Sequence, residues 1–306
     1  MESPRKTADL RRELASKIDS FMGSSVKQET QIPGLTLVRR TEKSVPVCVT
    51  YEPSVAVIAQ GRKRVELGSQ TFVYDPKRYL LTSVGLPIVS QITEASPQTP
   101  FLALALQLEM NLVREVLSRE EVFAPAFSTG NPAMVVGEVT PEFLSACIRL
   151  VDLLDHAQDI PFLAGLLQRE IIYRILRGPE GSRLRAIATL GDQSNRTARA
   201  ITWIRANFSK PLRLETLAEI AGMGVSTLHH HFRALTSMSP LQYQKQLRLQ
   251  TARARMLIDG LDAASAAFEV GYESASQFNR EYSRLFGQPP IRDVRALSNI
   301  QSAAVD

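Results

Sequence analysis

The sequence predicts an α+β protein with antiparallel strands followed by helices in its N-terminal part and an all-helical C-terminal part. Between Leu35 and Glu109, short apolar runs alternate with turn-forming residues, which is typical of strands. After about Asn111 the apolar residues recur at helical spacing. In the last third of the chain one helical sequence motif occurs twice. These three observations divide the chain into two kinds of structure.

The bulk properties indicate a folded protein of a reducing compartment. A chain of 306 residues is long enough for two domains, and 44% hydrophobic with 22% charged residues favours a packed core. Residues 1–22 alternate charged and apolar side chains, which predicts an amphipathic helix rather than a secretory signal. No apolar run reaches the roughly 18 residues that span a membrane. Only Cys48 and Cys147 are present, so we expect a cytoplasmic protein without disulfides or membrane contact.

The strand-like region is predicted to form a small antiparallel sandwich or barrel. Its apolar runs are short and closely spaced, and turn residues such as Gly61, Gly68 and Gly85 separate them. The predicted strands are Val45–Val49, Val55–Ala59, Arg64–Leu67, Thr71–Tyr74, Tyr79–Thr82 and Phe101–Leu108.

The helical region that follows ends near a domain boundary. Apolar residues repeat at helical spacing from Leu144 to Leu154 and from Leu163 to Ile175, and residues 177–182 stop the second helix. The polar stretch 191–195 reads as a boundary. We therefore predict an N-terminal domain of residues 1–190 and a C-terminal domain of residues 195–298.

The repeated motif predicts two helix-turn-helix motifs. Leu217-Ala218-x-x-Ala221-Gly222-Met223 precedes Ser226-x-Leu228-x-x-x-Phe232, and Ala266-Ala267-x-x-Val270-Gly271-Tyr272 precedes Ser276-x-Phe278-x-x-x-Tyr282. Each copy reads as a short helix, a glycine turn and a second helix, with Gly222 and Gly271 supplying the bend. The alternative is two generic helical hairpins in a bundle, but a duplicated motif is far more specific than a single one.

A long helix is predicted between the two copies. It begins at Ser239-Pro240, since proline fits the first helical position, and runs to about Asp259. Some 19 residues at about 1.5 Å each span roughly 28 Å. That length is near the roughly 34 Å of one DNA turn, so the two second helices are spaced to enter successive major grooves.

Positive charge is concentrated in the C-terminal part of the chain. Residues 1–194 contain 22 basic and 22 acidic residues, whereas residues 195–298 contain 14 basic and 8 acidic residues, a balance of +6. Such an excess is a footprint of nucleic-acid binding, although solvated basic faces are also common.

The second helix of the first motif carries three consecutive histidines. If Leu228, Phe232 and Leu235 face the core, then Ser226, His230 and Arg233 point outward, and His229 and His231 lie on the two flanks. Three consecutive side chains fan out over 200° and cannot chelate one ion, because helical metal pairs need a spacing of three or four residues. The sequence therefore predicts no metal site, and leaves DNA contact and plain surface histidines as the two interpretations.

The second helix of the second motif presents guanidinium and amide groups. If Phe278, Tyr282 and Leu285 face inward, the outward residues are Ser276, Arg280 and Arg284, flanked by Gln277 and Asn279. Arginine pairs with guanine, and glutamine or asparagine pairs with adenine, in the major groove. Arg284 could instead contact a phosphate, and a merely solvated polar face stays open.

These residues resemble a known family. GYESASQFNREYSRLFGQPP, residues 271–290, resembles the second helix-turn-helix signature of AraC/XylS-type transcriptional regulators, and LETLAEIAGMGVSTLHHHFRALTSMSPLQY resembles the first. The resemblance covers about a hundred residues and implies two motifs that bind adjacent major grooves of double-stranded DNA. Tyr282 departs from the family, which usually has phenylalanine there, but its packing role is preserved. The base-reading positions that the resemblance implies are Ser226, His229, His230, Ser276, Gln277 and Arg280.

The strand region resembles the N-terminal domain of an AraC subfamily. The stretch YEPSVAVIAQGRKRVELGSQTFVYDPKRYLLTSVGLPIVSQI carries this resemblance, which implies a cupin-like barrel with helices that senses a small ligand, dimerises, or both. The metal-binding cupin pattern needs histidines, and this domain has only His156, on a helix. We therefore expect neither a metal nor another cofactor. Cys48 is expected to be a strand core residue rather than a redox sensor.

The sequence thus predicts a sequence-specific DNA-binding transcriptional regulator, a homodimer through its N-terminal domain, and not an enzyme. A small-molecule effector and RNA polymerase are further candidate partners, whereas a membrane is not. Two alternatives remain: a small barrel enzyme fused to a helical domain, and an architectural DNA-binding protein without sequence preference. The effector, the operator and the direction of regulation are not specified by the sequence.

Overall fold

The computed structural model describes residues 4–118 and 132–302, with side chains described for residues 6–118 and 132–297. The chain divides into two compact units, Met1–Asn195 and Arg196–Asp306. Within the described residues, no helix combines the length and the apolar character that crossing a bilayer requires.

Residues 4–118 and 132–195 of the N-terminal unit contain two antiparallel sheets and five α-helices. The six-stranded sheet has the order β1-β2-β9-β4-β7-β10, and the four-stranded sheet has the order β3-β8-β5-β6. The helices are α1 (Pro4–Met22), α2 (Met110–Ser118), α3 (Pro141–Asp152), α4 (Ile160–Arg177) and α5 (Gly181–Ala188). The strands are β1 (Lys27–Glu29), β2 (Leu35–Arg40), β3 (Val47–Tyr51), β4 (Ser54–Gln60), β5 (Arg62–Leu67), β6 (Gln70–Tyr74), β7 (Arg78–Thr82), β8 (Leu86–Glu94), β9 (Phe101–Gln107) and β10 (Met134–Glu138).

The predicted α+β fold class is confirmed, and each of the six predicted strands is present with ends that agree to within two residues. One expectation is wrong: the chain does not become purely helical after Asn111, because β10 follows α2. This short strand pairs antiparallel with β7, with Met134 opposite Thr82 and Glu138 opposite Arg78. This strand stands between two helices in sequence, and its pairing partner β7 lies far earlier in the chain.

Strand alternation separates the two faces of the six-stranded sheet. Val55 and Val57 of β4 and Leu104 of β9 are buried on one face in a cluster with Leu14 and Ile18 of α1. The cluster continues into the apolar faces of α3 and α4. The intervening side chains of the same strands turn to the opposite face, as the two-residue period of a strand requires.

The C-terminal unit is all-helical and contains the two predicted helix-turn-helix motifs. The long helix α9 begins with proline in its first turn, and Ser239 and Gln242 form a reciprocal capping box there. The first motif is α7 and α8, and the second is α10 and α11. The helices are α6 (Gln193–Ala206), α7 (Leu214–Ala221), α8 (Val225–Thr236), α9 (Pro240–Ile258), α10 (Ala263–Glu269), α11 (Ala275–Phe286) and α12 (Pro290–Ser302).

The turns of the two motifs share one backbone arrangement. Gly222 and Gly271 adopt left-handed φ angles of 67° and 90°, which side chains disfavour. After each glycine the next backbone N–H donates to a carbonyl five residues back, from Met223 to Ala218 (3.0 Å) and from Tyr272 to Ala267 (2.9 Å). The duplicated sequence therefore folds into duplicated hydrogen bonds. The turns differ in their surroundings, since only the second lies against a neighbouring backbone.

That difference predicts unequal effects for the same substitution. Gly222→Ala places a methyl group in open space, so only the left-handed backbone costs free energy, about 1 kcal/mol. Gly271→Ala drives the methyl group into the backbone oxygen of Ser209 and should cost roughly 2–5 kcal/mol in addition. Urea unfolding followed by the fluorescence of Trp203, the only tryptophan and a residue of α6, measures both. Equal destabilisation by the two variants would contradict this account.

Candidate nucleic-acid interface

The outward face of α8 carries every site residue predicted on that helix. Leu228, Phe232 and Leu235 are buried, as the helical period requires. The four predicted residues on the opposite side are exposed, and they line a shallow open depression of about 400 Å³ together with Ala234. These residues are Ser226, His229, His230 and Arg233.

The three histidines occupy different environments. His229 and His230 are exposed, whereas His231 is half-buried. The ring of His231 meets the ring of His230 edge to face, with 5.4 Å between centroids and an interplanar angle of 80°. Across residues 4–118 and 132–302, no group of three or more His, Cys, Asp or Glu side chains is arranged to hold a metal ion. The α8 surface is therefore an imidazole and guanidinium surface with no acidic residue on the helix.

The second helix of the second motif presents its predicted residues in the same way. Phe278 and Tyr282 are fully buried, and Leu285 is half-buried against the same core. All four predicted residues on α11 are exposed: Ser276, Gln277, Arg280 and Arg284. Ser274 caps the helix by accepting a hydrogen bond from the backbone N–H of Gln277. The structure therefore gathers the eight candidates into two polar surfaces, one on each second helix.

An arginine that the sequence did not single out positions the second motif. Arg248 of α9 donates from Nε to the carbonyl of Phe208 (2.7 Å) and from Nη1 to the carbonyl of Gly271 (3.0 Å). Its Nη2 donates to the carbonyls of Ser209 (3.1 Å) and Lys210 (3.0 Å). Gln244, one helical turn earlier, donates to the Phe208 and Lys210 carbonyls at 2.9 and 2.7 Å. These bonds join α9 to the segment after α6 and to the second turn.

Burial lowers the pKa of Arg248 from its ordinary value, and nearby Tyr272 and Glu281 oppose that shift. A guanidinium remains charged after such a shift, because its ordinary pKa lies far above neutrality. The five N–H donors of the planar group suit it to several carbonyls at once. No local sequence pattern signals this role, since the acceptors are main-chain atoms distant in sequence.

A buried ionic group fixes the C-terminal half of α11. Arg253 of α9 pairs with both carboxylate oxygens of Asp293 of α12, at 2.7 and 2.8 Å. The hydroxyl of Tyr282 donates to Asp293 Oδ2 at 2.7 Å, and the Arg253 guanidinium lies 4.4 Å from the ring centre of Phe286. Burial raises the pKa of Tyr282, so the phenol stays a donor. Tyrosine at this position thus uses its hydroxyl, which the packing role alone does not explain.

Glu281 is a further residue at this surface that sequence reasoning missed. Its Oε2 accepts a hydrogen bond from the hydroxyl of Tyr272 (2.8 Å), and its Oε1 accepts one from Nε2 of Gln277 (3.4 Å). Gln277 and Glu281 are four residues apart on α11, a spacing that brings helical side chains together. That spacing was the available signal, but the contribution of Tyr272 depends on the fold of the turn.

Family models match both units of the chain. Residues 31–183, which are 153 of the 306 residues, match the AraC-type transcriptional regulator N-terminus. Residues 217–296 match a helix-turn-helix domain. The chain belongs to the AraC-type transcriptional regulators. It is therefore a DNA-binding transcriptional regulator, which confirms the predicted family and function.

Relatives agree with this membership. The chain is 26% identical over 250 residues to the transcriptional regulator ExsA of Pseudomonas aeruginosa, covering 80% of this chain and 86% of ExsA. It is 29% identical over 105 residues to the transcriptional activator RhaS of Yersinia pestis, but that match covers only 34% of this chain and 38% of RhaS.

A solved structure shares the fold. Apo ToxT from Vibrio cholerae superposes with a TM-score of 0.59 at 9% identity, covering 87% of this chain and 98% of ToxT. At this identity the likeness concerns the fold alone. It supports the antiparallel sheets followed by a helical domain that the sequence predicts.

The exposed histidines give the first test of the α8 surface. His230→Ala should weaken binding to a specific DNA site while leaving the melting temperature nearly unchanged, because the residue is exposed. EDTA should change neither quantity, since three consecutive histidines on a helix point in different directions and cannot bind one metal ion together. Fluorescence anisotropy with labelled DNA and thermal unfolding, each with and without EDTA, measure both. Loss of DNA binding in EDTA that added zinc restores would establish a metal site instead.

Proposed function

We propose that α8 and α11 read double-stranded DNA in two successive major grooves, and that the protein acts as a homodimeric regulator in the cytoplasm. The observation that supports this most directly is the pair of polar surfaces on the second helices of two motifs joined by α9. Each surface is exposed while the opposite face of the same helix is buried. The 19 residues of α9 correspond to about 28 Å, close to the roughly 34 Å of a DNA turn.

Within this proposal, side-chain chemistry assigns the roles on each helix. Ser226, His229 and His230 contact base edges, and Arg233, farther along α8, completes that surface. On α11, Ser276, Gln277 and Arg280 contact bases. Arg284, one turn nearer the end of the helix, contacts a phosphate, because positioning contacts flank the base contacts in such interfaces.

We propose that the N-terminal unit forms the dimer through α4. Two large apolar side chains on this helix are unusually exposed, Phe162 at 77% and Leu166 at 51%, and Leu163 lies beside them. Residues four apart share one face of a helix, so Phe162 and Leu166 form a contiguous apolar surface. Such a surface on a protein is typical of a protein–protein contact.

We also propose a small apolar effector for the N-terminal unit. One relative in fold, ToxT, is described as bound to an unsaturated fatty acid, with a TM-score of 0.52 at 8% identity. In this chain the cross-strand pair Ala56 and Ala105 faces away from the helices and is half-buried rather than buried. On the four-stranded sheet, the Lys63 ammonium lies 5.3 Å from the ring centre of Tyr51. Small apolar side chains suit the tail of such a molecule, and a lysine suits an anionic group on it.

The proposal includes RNA polymerase as a protein partner, since a regulator of transcription alters its recruitment or progress. It includes no catalytic role. The family membership supports a regulator, and the four histidines of the chain, at position 156 and positions 229–231, lie outside the strands of the N-terminal sheets. A rival barrel enzyme would have to turn over a small molecule that binds the N-terminal unit.

Selection of bound duplexes from a random DNA pool tests the DNA-reading proposal. The full chain should enrich one sequence with two contacted segments about one helical turn apart. Arg280→Ala should cost about 1–3 kcal/mol of binding free energy and relax preference at one base pair. Arg284→Ala should weaken all sequences alike and reduce the salt dependence. Enrichment of no sequence would favour an architectural binder, and equal base preference in all three proteins would contradict the assigned roles.

The dimer proposal makes a separate prediction. Phe162→Asp should shift the full chain toward monomer in sedimentation velocity, because a charge cannot be buried unpaired in an apolar interface. Leu190→Asp is the matched control: Leu190 is equally exposed, at 78%, but lies outside α4. The Phe162→Asp monomer should also bind DNA more weakly, because linked sites gain effective concentration. A wild-type monomer, or equal effects of the two substitutions, would contradict the α4 interface.

A further inference from the structure

Three side chains in the turn and second helix of the second motif are joined by consecutive hydrogen bonds. The hydroxyl of Tyr272 donates to Oε2 of Glu281 at 2.8 Å, and Nε2 of Gln277 donates to Oε1 of Glu281 at 3.4 Å. Tyr272 lies in the turn before α11, whereas the other two side chains lie on that helix. Gln277 is exposed, Glu281 is half-buried and Tyr272 is buried. These hydrogen bonds thus connect the core to the proposed DNA-reading surface.

Tyr272, the buried residue of the three, is firmly held in the core. The ring of Tyr272 packs edge to face on Phe278, with 5.3 Å between centroids, and the Arg248 guanidinium lies 5.9 Å from its ring centre. Burial raises the pKa of Tyr272 above its ordinary range, and its bond to Glu281 acts in the same direction, so the phenol keeps its proton. Glu281 is therefore held by a donor that belongs to the core.

The chemistry of the groups determines which way the Gln277 amide faces. An ionised carboxylate only accepts hydrogen bonds, so the amide must turn its NH2 group, not its oxygen, toward Glu281. One N–H is used by that bond. The amide then offers outward one N–H donor and one carbonyl acceptor, side by side. At 3.4 Å this bond is the longer of the two that Glu281 accepts.

That outward pattern matches one base edge. Adenine presents the N7 acceptor beside the N6 amino donor in the major groove, which one donor and one acceptor satisfy together. Guanine presents two acceptors, N7 and O6, and an amide with one remaining N–H cannot donate fully to both. An amide free to rotate has both N–H groups available and discriminates less between the two purines.

We propose that Tyr272 and Glu281 orient the Gln277 amide in advance for an adenine in the major groove. This inference rests on the proposed function, in which α11 enters that groove. In it Gln277 contacts the base, and Glu281 and Tyr272 are positioning residues that act through it. The first motif does not repeat this tyrosine–glutamate pair. By the repeat offsets, Met223 stands at the position of Tyr272, and His231 stands at the position of Glu281.

The negative charge of Glu281 separates this role from a general effect on affinity. A carboxylate near the phosphates repels any DNA, so its removal should strengthen binding to a random duplex. Removal of an orienting bond should instead weaken the preference for adenine over guanine. The two effects have opposite signs, and neither a loss of folding nor a change in charge produces both.

The experiment uses the full chain and the duplex selected from the random pool. The position read by Gln277 is first located as the base pair whose preference Gln277→Ala abolishes. Binding is then measured by fluorescence anisotropy for four duplexes that differ only there, and for one random duplex. The variants are Glu281→Gln and Tyr272→Phe. The control is Glu273→Gln, which removes a negative charge from an exposed residue of the same turn and lies outside the hydrogen-bond chain.

The wild-type protein should prefer adenine at the position that Gln277 reads. Both Glu281→Gln and Tyr272→Phe should reduce the adenine-to-guanine preference by roughly 2- to 10-fold, the range expected for one hydrogen bond. Glu281→Gln should also tighten binding to the random duplex, whereas Tyr272→Phe should leave it unchanged because no charge is lost. Glu273→Gln should tighten random binding and keep the full preference.

Other results overturn the inference in distinguishable ways. If Gln277→Ala abolishes a preference that Glu281→Gln leaves intact, Gln277 reads the base without being oriented, and the chain of bonds has no reading role. A wild-type preference for another base refutes the adenine assignment. If Gln277→Ala changes no base preference although a specific sequence is selected, Gln277 does not read DNA. Selection of no sequence refutes the proposed function itself. Glu281→Gln decides the matter should Tyr272→Phe lower the melting temperature.

Discussion

The arrangement of the C-terminal unit depends on one guanidinium that bonds to main-chain oxygens of separate segments. α6 ends at Ala206, and the carbonyls that follow it lack partners of a continuing helix. Arg248 supplies donors to three of them and to the carbonyl of Gly271 in the second turn. These bonds need Ser209 and Gly271 to approach so closely that only glycine fits at the latter. The same contact therefore explains the arginine, the glycine and the position of α10 and α11 relative to α9.

A second polar cluster restrains the other end of α11, and its energetics differ. The Arg253–Asp293 pair has side chains about one-tenth exposed, so desolvation offsets much of its Coulomb attraction. Its contribution is geometric: two bonds from Arg253 and one from Tyr282 leave α9, α11 and α12 a single mutual arrangement. α11 is consequently held by Arg248 at its preceding turn and by Asp293 near its end. A helix held at both ends presents its exposed side chains from a fixed backbone, which is the preorganisation that the proposed reading of DNA requires.

The sequence predicted what depends on local periodicity and missed what depends on distant partners. The 3.6-residue period is enough to place Ser226, His230 and Arg280 on exposed faces once the buried stripes are identified. The repeat likewise predicts both turns from the sequence alone. It did not reveal Arg248, whose acceptors are main-chain atoms 23 to 40 residues away. β10 was missed for a related reason, since it stands apart from the other strands in sequence and pairs with β7 far earlier in the chain.

The two motifs share a backbone but differ in how their surfaces are prepared for a ligand. In α8 the exposed groups include imidazoles and one guanidinium, and the ring of His230 packs edge to face on His231 of the same helix. In α11 an exposed amide is tied through a carboxylate to a buried phenol. Duplication explains the hydrogen bonds that the two turns share. The additional hydrogen bonds of the second motif arise because Tyr272 and Glu281 differ from the residues at the equivalent positions of the first. Since an oriented side chain rejects a mismatched base more strongly than an adaptable one, the proposed function places the greater selectivity in the half of the DNA site that α11 would read.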